Sequence, residues 1–182
     1  MKERTIIETI KALFKRPFTI KYPYEPSPAP EGFRGKPEVD PEKCIGCGAC
    51  ARVCSAEGIT IEDKGAERTI SYFYGKCTFC ARCEEVCPAE AVKLSREFEL
   101  SDYDKSAFYV KVTVPLLTCR ICGTPFVPKP QLEMGLEKVA DLLKKYNIDI
   151  EKFRQIVEVC PNCRRKIENI EAGRKILMVM MK

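Results

Sequence analysis

Eight of the twelve cysteines fall into two runs of one spacing, and no other feature constrains the chain as tightly. Cys44-Ile-Gly-Cys47-Gly-Ala-Cys50-Ala-Arg-Val-Cys54 reads C-x2-C-x2-C-x3-C, and Cys77-Thr-Phe-Cys80-Ala-Arg-Cys83-Glu-Glu-Val-Cys87 reads the same. Two-residue gaps let a tight loop offer three sulfurs to three corners of an iron–sulfur cube. The fourth cysteine begins a helix that leaves the loop and reaches a second cluster. The two runs therefore predict two [4Fe–4S] clusters with exchanged fourth ligands. Cys44, Cys47, Cys50 and Cys87 are assigned to one, and Cys77, Cys80, Cys83 and Cys54 to the other. Gly46 and Gly48 can take the φ > 0 conformations that such a wrap requires. Ile45 and Phe79 are placed to shield the inorganic cores from water. Ser55 follows Cys54 where Pro88 follows Cys87, a departure expected to alter the turn slightly and to leave the spacing intact. Zinc is disfavoured in these runs, because tetrahedral zinc sites pair cysteines as two separated C-x2-C knuckles.

Residues 40–95 also repeat at an offset of 33. Lys43-Cys44 aligns with Lys76-Cys77, Val53-Cys54 with Val86-Cys87, Ile59 with Val92, and Ile61 with Leu94. A short repeat with cysteines at fixed positions predicts a pseudo-twofold, two-cluster unit. Between the halves, Ile59-Thr-Ile61 and Thr69-Ile-Ser-Tyr-Phe73 flank residues 62–68, centred on Gly65. They read as a β-hairpin inserted between the motifs.

The other four cysteines do have the knuckle grammar: Cys119-Arg-Ile-Cys122-Gly123 and Cys160-Pro161-Asn-Cys163. This pattern matches zinc ribbons and rubredoxin-like sites. Zn2+ is the favoured occupant and mononuclear iron the alternative, since both take a thiolate tetrahedron. Arg120, Arg164, Arg165 and Lys166 adjoin the site, on a solvated or subunit-facing surface.

Such cysteine density means disulfides in a small secreted chain and metal in a cytosolic one. Residues 1–16 carry Lys2, Glu3, Arg4, Glu8, Lys11, Lys15 and Arg16 and lack the apolar core of a secretion signal. The longest uncharged apolar run, residues 176–181, falls far short of the roughly 20 residues that span a bilayer. A cytosolic, metal-binding chain is expected. Its formal charge of +5 counts thiols as neutral. Each tetrathiolate site carries about −2 when filled, which brings the balance to about −1 and removes the case for nucleic acid. There is no histidine, so the commonest general base is absent. No P-loop, nucleophile elbow or dinucleotide fingerprint occurs.

The flanks are equally patterned. Ile6, Ile7, Ile10, Leu13 and Phe14 form one apolar stripe of a helix that Pro17 closes. Residues 1–22 hold six Lys/Arg against two Asp/Glu, which suits a membrane surface or a partner's groove. Residues 22–41 contain six prolines together with Tyr22, Tyr24 and Phe33, and read as an extended arm lying on another subunit. Tyr109-Val-Lys-Val-Thr-Val114 alternates as a strand. Residues 131–146 and 150–159 read as helices; the first has Leu132, Leu136, Val139, Leu143 and Tyr146 in its apolar stripe, Asn147 is its stop, and Asp149 caps the second.

The expected class is therefore α+β. Residues 1–39 are a helix and arm, 40–97 a two-cluster domain, 98–118 a connecting segment, and 119–182 a four-cysteine metal-binding extension. In this order, with Lys21-Tyr-Pro-Tyr-Glu25 and Gly32-Phe-Arg-Gly-Lys-Pro37 before the cluster runs, the chain resembles the two-[4Fe–4S] ferredoxin-type subunit of complex I and its hydrogenase relatives. The C-terminal extension is similar to that of the ferredoxin-like component of formate hydrogenlyase and related group 4 membrane-bound [NiFe]-hydrogenases. The resemblance implies a bacterial-type ferredoxin fold without a catalytic site of its own. It implies a peripheral subunit on the cytoplasmic side of the membrane. Electrons from a ferredoxin or another donor subunit would pass toward a one-cluster small subunit and the nickel–iron site of a large subunit, with the N-terminal helix near a membrane subunit. The competing classes are a free-standing soluble ferredoxin, a related quinone or sulfur reductase subunit, and a zinc-ribbon binding module with structural clusters.

Overall fold

The computed structural model describes residues 2–16 and 19–166. The expected helix stop at Pro17 and the apolar run 176–181 lie outside them. The chain divides into two units, Met1–Glu31 and Gly32–Lys182. In the first, helix α1 (Lys2–Phe14) displays Ile6, Ile7, Ile10, Leu13 and Phe14, each more than half exposed. Among the described residues no helix is long and apolar enough to cross a membrane.

The second unit contains, in order, β1 (Pro37–Val39), α2 (Ala49–Val53), β2 (Ile59–Lys64), β3 (Glu67–Phe73), α3 (Arg82–Glu85) and β4 (Val92–Leu94). It continues with β5 (Tyr109–Thr118), β6 (Pro125–Pro128), α4 (Lys129–Lys145), α5 (Ile150–Val157) and α6 (Pro161–Arg164). Two antiparallel sheets result, β1-β4 and β2-β3-β5-β6.

The 33-residue repeat is written into the backbone. In β1-β4, Pro37 pairs with Leu94 and Val39 with Val92; 33 positions away in the matching strands, Ile70 pairs with Ile61 and Tyr72 with Ile59. The same holds for the left-handed residues: Gly46 and Phe79, Gly48 and Ala81, and Glu57 and Glu90 all have positive φ at equivalent positions. Both halves of the repeat thus follow one path, with glycine at two of these turns in the first half and Phe79 and Ala81 there in the second. The turn after Cys54 matches that after Cys87, with Glu57 N–H donating to Cys54 O at 3.1 Å and Glu90 N–H to Cys87 O at 3.2 Å. Ser55 in place of proline leaves it unaltered.

Two expectations are revised. Residues 35–39, read as arm, belong to the second unit: Gly35 N–H reaches Ser95 O, Lys36 pairs with Glu97, and β1 closes the small sheet. Residues 98–118, expected only to connect, hold the strand read over 109–114, which runs on to Thr118 and is an inner strand of the larger sheet. Val112, Val114 and Leu116 are buried on one face of β5 while Lys111, Thr113 and Pro115 face outward, the period-2 pattern of a half-buried strand. Ile70 sits opposite Val112 and Tyr72 opposite Val110. The core gathers Cys50, Ile70, Tyr72, Tyr74 and Val92, with Ile59, Ile61 and Val110 packed against them.

Beyond β6, Leu143 is the buried residue of α4. Tyr146 is 64% exposed, against the sequence reading, because α4 ends at Lys145 and Asn147 turns the chain away with φ 52°. Asp149 caps α5, its carboxylate accepting from Glu151 N–H.

Candidate metal centres

All twelve thiols are free of disulfides. Cys44, Cys47, Cys50 and Cys87 line one cavity, walled also by Ile45, Ile70, Tyr72, Ala91 and Val92. Cys77, Cys80, Cys83 and Cys54 line a second, with Ile59, Tyr72, Phe73, Tyr74, Phe79 and Leu94. Each cavity takes three cysteines from one run and the last from the other, because α2 and α3 carry Cys54 and Cys87 away from their own loops. Ile45 and Phe79 stand on these walls, one in each.

Backbone donors face the sulfurs in pairs. Gly58 N–H donates to Cys54 Sγ and Ala91 N–H to Cys87 Sγ, both at 3.3 Å. Phe79 N–H donates to Cys77 Sγ at 3.4 Å. Tyr72 Oη donates to Cys50 Sγ at 3.1 Å. Burial pushes the Cys44, Cys50 and Cys77 thiols above their ordinary range. It carries Cys83 up to about 11, and the neighbouring sulfurs add to the rise. Thiols so placed ionise when a cation offsets their charge. Four sulfurs on an apolar wall, with amide donors aimed at them, fit the donor set of a [4Fe–4S] cluster in both cavities.

The first loop is the better covered. Gly46 lies so close to Pro128 and Val114 that a Cβ there would meet Pro128 at 3.1 Å. Arg68 donates to Gly46 O at 3.2 Å and forms a two-pronged pair with Asp63 at 2.7 and 2.8 Å. In the second loop Cys80 is exposed.

The third centre is of another kind. The sulfurs of Cys119, Cys122, Cys160 and Cys163 all lie within 4.8 Å of one another, and three of the four residues are buried. Gly123, with φ 71°, turns the β5–β6 loop, and Gly123 N–H donates to Cys119 O. Cys160 N–H donates to Cys119 Sγ at 3.2 Å, and Cys163 N–H to Cys160 Sγ at 3.4 Å. The Cys160 amide draws the Cys119 thiol down to about 6. The Cys122 sulfur beside it pushes Cys163 up to about 12. One ready thiolate among buried thiols is a donor set that suits a single tetrahedral ion. Arg120 is paired with Glu158, and Arg164 donates to the carbonyls of Val157 and Val159. Two of the four basic residues here therefore hold the fold together.

Sequence reasoning missed Tyr72, which lines both cavities. Aligning Tyr72 with Val39 at the offset of 33 would have marked it as a place where the halves differ.

Residues 43–91 match the 4Fe-4S dicluster domain family. Formate hydrogenlyase subunit 6 of Escherichia coli K12 is 41% identical over 152 residues, which cover 81% of this chain and 82% of that one. The chloroplast NAD(P)H-quinone oxidoreductase subunit I of Dioscorea elephantipes is 38% identical over 129 residues, 66% of this chain and 71% of its own. A chain of the archaeal membrane-bound sulfane sulfur reductase is 38% identical over 52% of each chain, with a TM-score of 0.38. On the strength of the two curated relatives, the chain belongs to the family of two-[4Fe–4S], ferredoxin-like electron-transfer subunits shared by complex I-type quinone oxidoreductases and group 4 membrane-bound hydrogenases.

Proposed function

We propose that this chain is a fixed electron relay inside a membrane-attached hydrogenase of the formate hydrogenlyase type. Cys44, Cys47, Cys50 and Cys87 hold one [4Fe–4S] cluster, and Cys77, Cys80, Cys83 and Cys54 the other. The observation that carries the reading is that Tyr72 stands on the wall of both cavities. Two redox centres would then sit one side chain apart. When bound, each cluster supplies a one-electron carrier. The protein holds the sulfurs, aims amide donors at them, and keeps water from the first loop with Ile45, Val114 and Pro128.

The exposed Cys80 side offers one face for electron exchange. Partners are a one-cluster small subunit leading to a nickel–iron large subunit, and a ferredoxin or other donor subunit. The exposed apolar stripe of α1 supports a contact with a membrane subunit on the cytoplasmic side. The β2–β3 pair is the hairpin inserted in the ferredoxin domain. Residues 119–166 form a zinc-ribbon or rubredoxin-like extension whose ion is structural Zn2+.

Native purification tests the assembly: co-migration with nickel-containing subunits is expected, and migration alone near 20.7 kDa contradicts it. Low-temperature EPR of the dithionite-reduced protein should show two interacting [4Fe–4S] signals; redox-silent clusters would overturn the relay. Metal analysis should give about eight iron and one zinc per chain, whereas about nine iron and no zinc would make the third site an iron centre.

A further inference from the structure

The two cluster sites are near copies, and one buried hydroxyl breaks the likeness. Their amide-to-sulfur bonds repeat at the offset of 33. Gly58 N–H to Cys54 matches Ala91 N–H to Cys87. The Gly46 amide facing Cys44 matches that of Phe79 facing Cys77. The Ala51 amide facing Cys50 matches that of Glu84 facing Cys83. The bond from Tyr72 Oη to Cys50 Sγ, 3.1 Å long, has no such counterpart among the described residues. The position equivalent to Tyr72 is Val39, whose side chain has no donor, and the residue equivalent to Cys50 is Cys83.

We infer that Tyr72 sets the two clusters apart, its hydroxyl raising the reduction potential of the cluster held by Cys44, Cys47, Cys50 and Cys87. The inference rests on the ligand sets proposed above. Reduction makes a [4Fe–4S] site more negative, and a hydrogen bond strengthens as its acceptor gains negative charge. A donor on a cluster sulfur therefore favours the reduced form. Tyr72 is only 2% exposed, so water does not compete for the bond. Its strand is held on both sides, opposite Ile59 on β2 and Val110 on β5, which fixes the ring. Arg68 lies near Cys47 and acts on the same cluster in the same direction. Separating its effect from that of the hydroxyl requires a change at Tyr72 alone.

The test is an EPR-monitored redox titration of the holoprotein. Cys47→Ser and Cys80→Ser, one ligand from each set, identify which wave belongs to which cluster. Tyr72→Phe should move the Cys47-marked wave to more negative potential and leave the Cys80-marked wave in place. The expected change in that cluster's reduction equilibrium is about three- to thirtyfold, or about 30–90 mV at 59 mV per tenfold. Site-specific 3-fluorotyrosine at position 72 keeps the shape and makes the O–H a stronger donor, so the same wave should move the opposite way. Shifts of opposite sign are not what a packing change gives, and this variant keeps the test open if Tyr72→Phe loses a cluster. Equal movement of both waves, movement of the Cys80-marked wave alone, or no movement overturns the assignment of Tyr72. If Cys47→Ser and Cys80→Ser disturb the same wave, the ligand sets themselves fail and the inference falls with them.

Discussion

The four sulfurs at the β5–β6 loop and α6 crowd within 4.8 Å of one another, while the eight of the ferredoxin domain stand around two separate apolar-walled pockets, four to each. The residue type is the same and the difference lies in how the backbone delivers it. Two C-x2-C pairs from segments about 40 residues apart meet at a point and fit an ion. A C-x2-C-x2-C run with a departing helix encloses a volume and fits a cube. The two regions also differ in what closes them. The four-cysteine corner has Cys119, Cys160 and Cys163 as its own buried cluster, with Phe126 and Val159 against it. In the ferredoxin domain four cluster-loop cysteines, Cys50, Cys44, Cys83 and Cys87, are themselves part of the core or packed on it, so the inorganic groups complete that core.

The largest expected effect lies in the ion site. Cys119→Ser should remove most of a binding free energy of about 10–16 kcal/mol, which in such sites is folding free energy. Hydrogen exchange should then show α5 and α6 losing protection, with cluster iron unchanged. Loss of cluster iron along with the third site's ion would show that the two regions fold as one.

A smaller effect should separate the two cysteine loops. Gly48→Ala places a side chain at φ 76° with its Cβ 2.7 Å from Ile61 Cδ1, and should cost about 1–3 kcal/mol in thermal or denaturant unfolding. Its counterpart Ala81 already occupies that conformation at φ 67°, so Ala81→Gly should stay within about 1 kcal/mol of the parent. Equal losses at both would contradict the equivalence of the loops.

The smallest effect concerns the ion pair behind the first loop. Arg68 beside Asp63 holds that carboxyl below its usual 3.8. A folded-state pKa lowered in this way contributes stability that is complete above 3.8 and is lost as pH falls through the folded value. Asp63→Asn should therefore cost about 0.5 kcal/mol, the modest value of a part-exposed pair. The cost should be the same at pH 7 and pH 5; a cost already fading at pH 5 would contradict the lowered pKa.

The cysteine spacing made the two groups of four legible before any fold was known, and the offset of 33 foreshadowed the paired strands. What escaped the sequence was non-local. β1 and β4 have three residues each, too few for a period to register, and Pro37 argues against a strand unless the strand is at an edge, as this one is. Val112 and Leu116 alternate clearly, but nothing in them says that their partners are Ile70 on β3 and Pro128 on β6. Phe79 and Ala81 carry no local sign of positive φ; only their alignment with Gly46 and Gly48 reveals it. Tyr72 read as one residue of a hairpin, because a hydroxyl's partner 22 positions away leaves no trace in periodicity.

Iron counting in two double variants reports whether the runs exchange their fourth cysteines. If Cys44 and Cys87 serve one cluster, Cys44→Ala with Cys87→Ala damages that cluster alone and leaves about four iron and one reducible EPR signal. Cys77→Ala with Cys87→Ala then strikes both clusters and leaves neither intact. The reverse outcome, with the second pair sparing a cluster and the first pair sparing none, would mean that each run keeps its own cube.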